Sequence, residues 1–328
     1  MIEGKKIFIS GGAGFIGSSL IKRIIEKNQV VVYDNFHRNA LQFTGLLHHP
    51  NLEIIEGDIL NGDKIQKSIG GSNVVIHLAS IAGVDAVISM PVRTMEVALI
   101  GTYHMLQACK NMATLERFID FSTSEVFGSF AFNVNENDPT TLGAVAEARW
   151  TYAVSKLATE HLTLNYFKEF DLPTLSIRPF NIFGPMQVGA GAIHTFIRSS
   201  LKNEPLYIYN GGSQIRSWCY IDDIVDGIEL AIESPQAVGQ AFNIGNPRNT
   251  LTIYHLAKLI QRLTQSTSDL VFKEKQMTDV ELRIPSCEKA KQLLRFEPRV
   301  DLEEGLLRTI DWVARDRKRR AAAHRLTA

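Results

Sequence analysis

Short apolar runs recur along the first half of the chain, at Ile7–Ile9, Val30–Tyr33, Glu53–Glu56, Val74–Leu78, Phe118–Ser122 and Thr174–Arg178. Each predicts a strand, and most pairs of runs are separated by a stretch with helical spacing, the first of them Ser18–Lys27. Strand and helix in regular alternation predict an α/β fold with a doubly wound parallel sheet. Beyond Asn181 the alternation breaks down around the turn signals Gly184-Pro185, Gly189-Ala190-Gly191 and Gly211-Gly212. The expected organisation is therefore a sheet domain over residues 1–180 and a smaller domain mainly over 181–328. Segments near 215–250 return to the first, because Ile221–Ile232 reads as a helix and Ala241–Gly245 as a strand.

In such sheets ligands gather at the carboxyl ends of the strands. Six consecutive predicted strand ends carry small or polar residues: Gly12, Asp34, Asp58, Ala79-Ser80, Thr123-Ser124-Glu125 and Pro179-Phe180-Asn181. The first opens Ser10-Gly11-Gly12-Ala13-Gly14-Phe15-Ile16-Gly17, a glycine turn between a strand and a helix. Glycines there let the backbone approach a pyrophosphate, and the free N–H groups of the helix start favour its charge. Asp34 follows the second strand, 20 residues beyond Gly14, where a carboxylate accepts hydrogen bonds from an adenosine ribose and repels a 2′-phosphate. The arrangement predicts a Rossmann-type domain that binds NAD in preference to NADP, although His37 and Arg38 partly offset that repulsion.

Composition narrows the partners. With 328 residues and 45% hydrophobic content the chain can bury a large core, and 35 basic residues against 35 acidic ones give no global field for nucleic acid or membrane. Cys109, Cys219 and Cys287 are too scattered for a disulfide framework or a zinc site, and His48-His49 lacks ligand spacing, so no metal is expected. The first residues carry no apolar leader, and a cytoplasmic location is the expectation. Arg315–Arg320 and Ala321–Ala323 read as the solvated end of a basic helix.

Tyr152 and Lys156 lie four apart in a helix-compatible stretch, so they share a face. An ammonium beside a phenol lowers its pKa from about 10 toward neutrality and makes it a general base. Thr123 would hold the hydroxyl being oxidised, and Lys156 would also reach the nicotinamide ribose. His77 reads as a strand residue near the cofactor and not as a base.

The chain resembles the extended short-chain dehydrogenases/reductases that modify nucleotide-activated sugars. The stretches that carry the likeness are Gly11–Gly17, Gly57-Asp58-Ile59, His77-Leu78-Ala79-Ser80, Ser122–Gly128, Tyr152–Lys156, Arg178–Pro185 and Arg216–Asp223. The resemblance implies a tightly held NAD that oxidises the sugar at C4, contacted by Gly11, Gly14, Phe15, Ile16, Gly17, Asp34, Asn35, Asp58, Ile59, Leu78, Ala79 and Ser80. It implies Thr123, Tyr152 and Lys156 as the oxidising triad and Asn181, Arg216 and Arg283 as holders of the diphosphate and nucleotide. It also implies a homodimer formed partly by the helix Gly101–Ala113. One departure is Ala98, where many members have asparagine.

A 4-keto sugar can be reduced on its other face, lose water across C5 and C6, or, with a C6 carboxylate, lose carbon dioxide. Glu125 discriminates by resemblance: simple 4-epimerases usually lack an acid there, whereas dehydratases and decarboxylases carry one. Ser124-Glu125 is similar to GDP-mannose dehydratases. Arg149-Trp150-Thr151-Tyr152, Asn243–Asn249 and Val280–Ser286 are similar to UDP-glucuronate decarboxylases, which makes decarboxylation of a UDP-sugar the first expectation, dehydration and epimerisation the alternatives. An arginine expected near the carboxylate is replaced by Gly191-Ala192-Ile193-His194, leaving His194 and Arg149 as further substrate candidates. A degenerate fold that only senses NAD or a sugar nucleotide is the non-enzyme alternative, and the intact Thr123, Tyr152 and Lys156 set favours the enzyme.

Overall fold

A computed structural model describes residues 2–189, 191–274 and 279–327, with side chains described as far as Lys318. Ala190 of the predicted Gly189–Gly191 turn lies outside the described residues, as do the side chains of Arg319, Arg320 and Ala321–Ala323 in the basic tail. The strands are β1 (Lys6–Ser10), β2 (Gln29–Asp34), β3 (Leu52–Glu56), β4 (Val74–His77), β5 (Arg117–Phe121), β6 (Phe130–Val134), β7 (Thr174–Pro179) and β8 (Ile182–Phe183). They continue with β9 (Leu206–Tyr209), β10 (Ile215–Ser217), β11 (Cys219–Tyr220), β12 (Ala241–Ile244), β13 (Thr250–Thr252), β14 (Leu270–Lys273) and β15 (Leu282–Pro285). Seven of them form one sheet in the order β3-β2-β1-β4-β5-β7-β12, and every neighbouring pair is parallel. This is the doubly wound order with one added strand, and the chain reverses direction across the sheet between β1 and β4.

The central strands follow from their composition. β4 and β5 are buried at every position, as expected of strands covered by helices on both faces. On one face, α1 (Phe15–Ile24) and α7 (Ile221–Glu233) pack against Ile7, Ile9, Ile76 and Ile119. On the other, α4 (Pro91–Cys109) and α5 (Thr151–Phe170) close over Phe8, Val75 and Phe118; α2 (Gly62–Ser68) and α3 (Val84–Ser89) precede α4 in the chain. The remaining helices are α6 (Ala192–Ser200), α8 (Ile253–Leu263), α9 (Glu288–Leu294) and α10 (Leu302–Thr327). No helix among the described residues is long and apolar enough to cross a membrane.

The structure shifts three sequence expectations. α1 begins at Phe15, not Ser18, because Gly14 is the extended residue that caps it and accepts from Ser18 N. It ends at Ile24, where the Asn28 side chain donates to the Ile24 carbonyl at 2.8 Å. α4 begins at Pro91, ten residues before Gly101, since proline suits the first helical position. Gly101 lies inside that helix, where a Cβ would stand 2.9 Å from Ile59.

The smaller layer is built from the four-stranded sheet β13-β10-β15-β6 and the pairs β8–β11 and β9–β14. Its strand β6 comes from residues 130–134, inside the segment expected to belong wholly to the first domain. Conversely β12 pairs with β7 in the main sheet, and α7 packs beside α1, whereas β10 and β11 stay in the smaller layer. The boundary near residue 180 is thus crossed in both directions.

Candidate active site

The glycine turn is fixed from below by Asp34. Its Oδ2 accepts from Ala13 N at 3.0 Å and its Oδ1 from Phe36 N at 2.8 Å, so the carboxylate at the end of β2 holds the loop. Burial raises its pKa, and the N–H groups of Phe36, Ala13 and Asn35 oppose the rise. Gly11 has a positive φ of 69°, and a Cβ on it would come within 2.6 Å of Ala79 N, so the loop after β1 packs directly on Leu78-Ala79 after β4. Phe15, Ile16 and Gly17 form the first turn of α1. Asn35 Oδ1 accepts from His37 N, which shapes the turn beyond Asp34.

Asp58 lies two residues beyond the end of β3. Its Oδ1 accepts from Leu60 N at 3.0 Å, and its Oδ2 pairs with Arg93 at 2.6 Å, while Ile59 is pressed against Gly101. Ser80 Oγ and Lys156 Nζ are buried without a hydrogen-bond partner among the described residues. An unpaired hydroxyl after β4 and an unpaired ammonium on α5, beside a glycine-rich helix start, are what a dinucleotide's hydroxyls would satisfy, and these residues fit NAD. His77 is buried between Ser10 Oγ at 2.6 Å and Thr102 Oγ1 at 3.0 Å, and burial lowers its pKa to about 3. It is a neutral strand residue, as expected.

Thr123, Ser124 and Glu125 follow β5. Thr123 is extended and caps the single turn Ser124–Phe127, its Oγ1 accepting from Glu125 N at 3.2 Å. It is also hydrogen-bonded to Tyr152. Tyr152 and Lys156 sit in the first two turns of α5, on the face that the sequence predicted. Their electrostatics differ from expectation. Burial, and then the Glu125 carboxylate, raises the Tyr152 phenol above its ordinary value, and the Thr123 bond opposes this only in part. Burial also pulls the Lys156 ammonium toward losing its own proton, against the pull of Asp120 and Glu160.

Three arginines converge on Glu125. Arg149 lies in the turn Ala148–Trp150 before α5, and its Nη1 donates to Glu125 Oε2 at 2.6 Å. Arg283 Nη1 lies 3.7 Å from Glu125 Oε1, and its Nη2 donates to the Gly128 carbonyl at 3.1 Å. Arg216 is the register partner of Arg283 across the β10–β15 pair and is held by the Val280 carbonyl and Asp279. Burial lowers Arg283 to about 10, and Arg216 is lowered in the same direction. Burial would also raise the Glu125 carboxyl, but Arg283 and Arg149 outweigh it and hold the group below the usual range. Glu125 is therefore an ion-paired carboxylate and neither a helix cap nor a solvated loop acid. Arg149, Arg216 and Arg283 against Glu125 and Asp279 leave a positive excess.

Asn181 has φ of 27° and donates to the Ser217 carbonyl at 2.9 Å, tying the end of β7 to β10. His194 is not brought to the arginine cluster: its Nε2 bonds the Gly184 carbonyl at 2.8 Å, its ring meets Trp312 edge-on, and burial lowers its pKa to about 4. Sequence reasoning missed Asp279, the counter-ion of Arg216. It also missed Asp120, an acid among the apolar Phe118, Ile119 and Phe121 of a strand buried at every position, which was the available signal.

Comparison with known proteins places this geometry. A UDP-N-acetyl-α-D-glucosaminuronate decarboxylase of Bacillus cytotoxicus is 33% identical over 94% of this chain and 97% of its own length. UDP-glucuronic acid decarboxylase 1 of Danio rerio is 33% identical over 97% of this chain and 74% of its own. The solved UDP-glucuronic acid 4-epimerase of Bacillus cereus, in complex with UDP-glucuronic acid and NAD, superposes with a TM-score of 0.86. It is 30% identical, over 94% of this chain and 99% of that one. Residues 7–245 match the NAD dependent epimerase/dehydratase family, and the chain belongs to that family.

Proposed function

We propose that the protein is a decarboxylase of a UDP-linked hexuronate, with UDP-glucuronate as the substrate. The observation that carries this reading is the Arg149–Glu125–Arg283 cluster beside Tyr152, a buried and net positive corner suited to a sugar carboxylate. Gly11–Gly17, Asp34, Asp58, Leu78–Ser80 and Lys156 would hold NAD, which would supply the hydride acceptor and, when oxidised, a cationic ring. Tyr152 takes the proton of the C4 hydroxyl once the positive charge of Lys156 and of the oxidised nicotinamide ring offsets the burial that raises its phenol, while Thr123 orients that hydroxyl. The resulting C4 ketone stands β to the C6 carboxylate. The C5–C6 bond breaks, its electron pair moves onto C5 and the C4 oxygen, and carbon dioxide leaves. Arg283 and Arg149 stabilise the developing enolate charge, and C5 then takes up a proton that comes from water and is relayed through the ionised Glu125, with Ser124 beside it. Asn181 and Arg216 are assigned to the diphosphate and nucleotide. His194 is given a supporting role behind Gly184.

A proton NMR time course in D₂O with NAD and UDP-glucuronate tests this. Decarboxylation gives a new pentose anomeric signal with deuterium at C5, and a hexuronate epimer in its place sinks the reading. Dehydration is the second reading, because an ionised Glu125 next to Ser124 can also remove a C5 proton; a methyl signal from a UDP-, TDP- or GDP-hexose would establish it. Binding without turnover of any of these would leave a sensing module. Exposed Ile100, Tyr103 and Val154 on the adjoining helices α4 and α5 support a homodimer, and three unpaired buried cysteines support a reducing, cytoplasmic setting.

A further inference from the structure

We propose that Asp120 is a positioning residue that keeps Lys156 protonated and in place beneath the reacting atoms. Asp120 is the fourth residue of β5, on the face covered by α5. It is fully buried, and neither carboxylate oxygen has a hydrogen-bond partner among the described residues. Lys156 is buried to the same degree, and its Nζ is likewise without a partner. A buried carboxylate without a hydrogen bond is costly to the fold, and the neighbours explain why one stands here.

The strands on either side of Asp120, β4 and β7, and the helix α5 above it carry titratable or charged groups. His77 is its register neighbour on β4, neutral and with both ring nitrogens engaged. Arg178 on β7 donates to Glu160 of α5 through both Nε at 2.9 Å and Nη2 at 2.6 Å, so its charge is already balanced. Tyr152 feels Asp120 only as a repulsion of its phenolate. Lys156 is the remaining cation among the described neighbours, and Asp120 is the first group that counters the effect of burial on it. Burial raises Asp120 to about 6 although Lys156 opposes the rise, so at neutral pH and above it stands as a carboxylate buried between β5 and α5 with the ammonium, acting on it through space without a direct hydrogen bond. Removing that charge makes Lys156 lose its proton at lower pH, and the support it gives to ionised Tyr152 goes with it.

This rests on Tyr152 and Lys156 being the oxidising pair of the proposed function, and the test separates the two. The holoenzyme and its Asp120→Asn and Tyr152→Phe variants are assayed for kcat between pH 6 and pH 9.5, with melting temperature and retained NAD recorded for each. The expected result is an alkaline limb displaced to lower pH in Asp120→Asn, with kcat about tenfold down at the alkaline end and little changed near neutrality. An unmoved alkaline limb overturns the proposal, and so does a loss of the same factor at every pH, which is what a merely structural role gives. Full turnover by Tyr152→Phe instead sinks the oxidising-pair reading itself. If Asp120→Asn does not fold, ¹³Cε lysine NMR of the wild-type holoenzyme decides. Lys156 must be an ammonium at pH 8, and a neutral amine there overturns the proposal.

Discussion

Glu125 shows how far a side chain's role depends on neighbours distant in sequence. The motif Ser122–Gly128 predicted an acid at the site, and the acid is there. Its ionisation, however, is set by Arg149, 24 residues on, and by Arg283, more than 150 residues on. Because its carboxyl is held below the usual range, Glu125 is negative throughout the neutral region. It gives up its stabilising pairs only when acid drives the pH down through that lowered value. Glu125→Gln keeps the shape and loses the charge. The expected outcome is C4 oxidation without product release, seen as enzyme-bound NADH absorbance. A variant that neither accumulates NADH nor slows would remove Glu125 from the chemistry. Tyr152 marks the limit of local reading. The i, i+4 spacing to Lys156 was legible, but the phenol rises because burial and Glu125 decide its ionisation, and neither is encoded in the helix.

At the scale of elements, the existence of the strands was legible because each apolar run is short and bounded. The helix ends were less so, since caps depend on backbone conformation. Gly101 illustrates the difference. Read along the sequence a glycine marks a beginning, but in the structure it is a groove in the middle of α4 that receives Ile59. Gly101→Val would force apart the helix and the Asp58-Ile59 corner. The expected cost is about 1–3 kcal/mol, measured by urea denaturation, together with weaker retention of NAD. Unchanged stability would mean that α4 can shift without strain.

For the whole molecule, the parallel sheet was predictable from alternation alone, and so was the return of Ala241–Gly245 to it, whereas the passage of β6 into the smaller layer was not. Strand pairing between distant segments leaves no periodic trace, so β6 could not be assigned to the smaller layer before it was seen beside β15. The assembly is tested at this scale. Tyr103→Glu combined with Val154→Glu places charge on the exposed faces of α4 and α5. Sedimentation should then report half the wild-type mass; an unchanged mass would locate the dimer elsewhere or exclude it.

The crossing of β6 and β12 between layers also bears on inheritance. A single recombination event near residue 180, joining one relative's amino-terminal portion to another's remainder, would couple β6 to a foreign β15 and β7 to a foreign β12. Both seams lie against the reacting centre, one through Arg283 and the other through the end of β7. A change of substrate in this lineage is therefore easier to reach by point replacement within the cluster than by exchange of a module, because the part that chooses the sugar and the part that oxidises it share their strands.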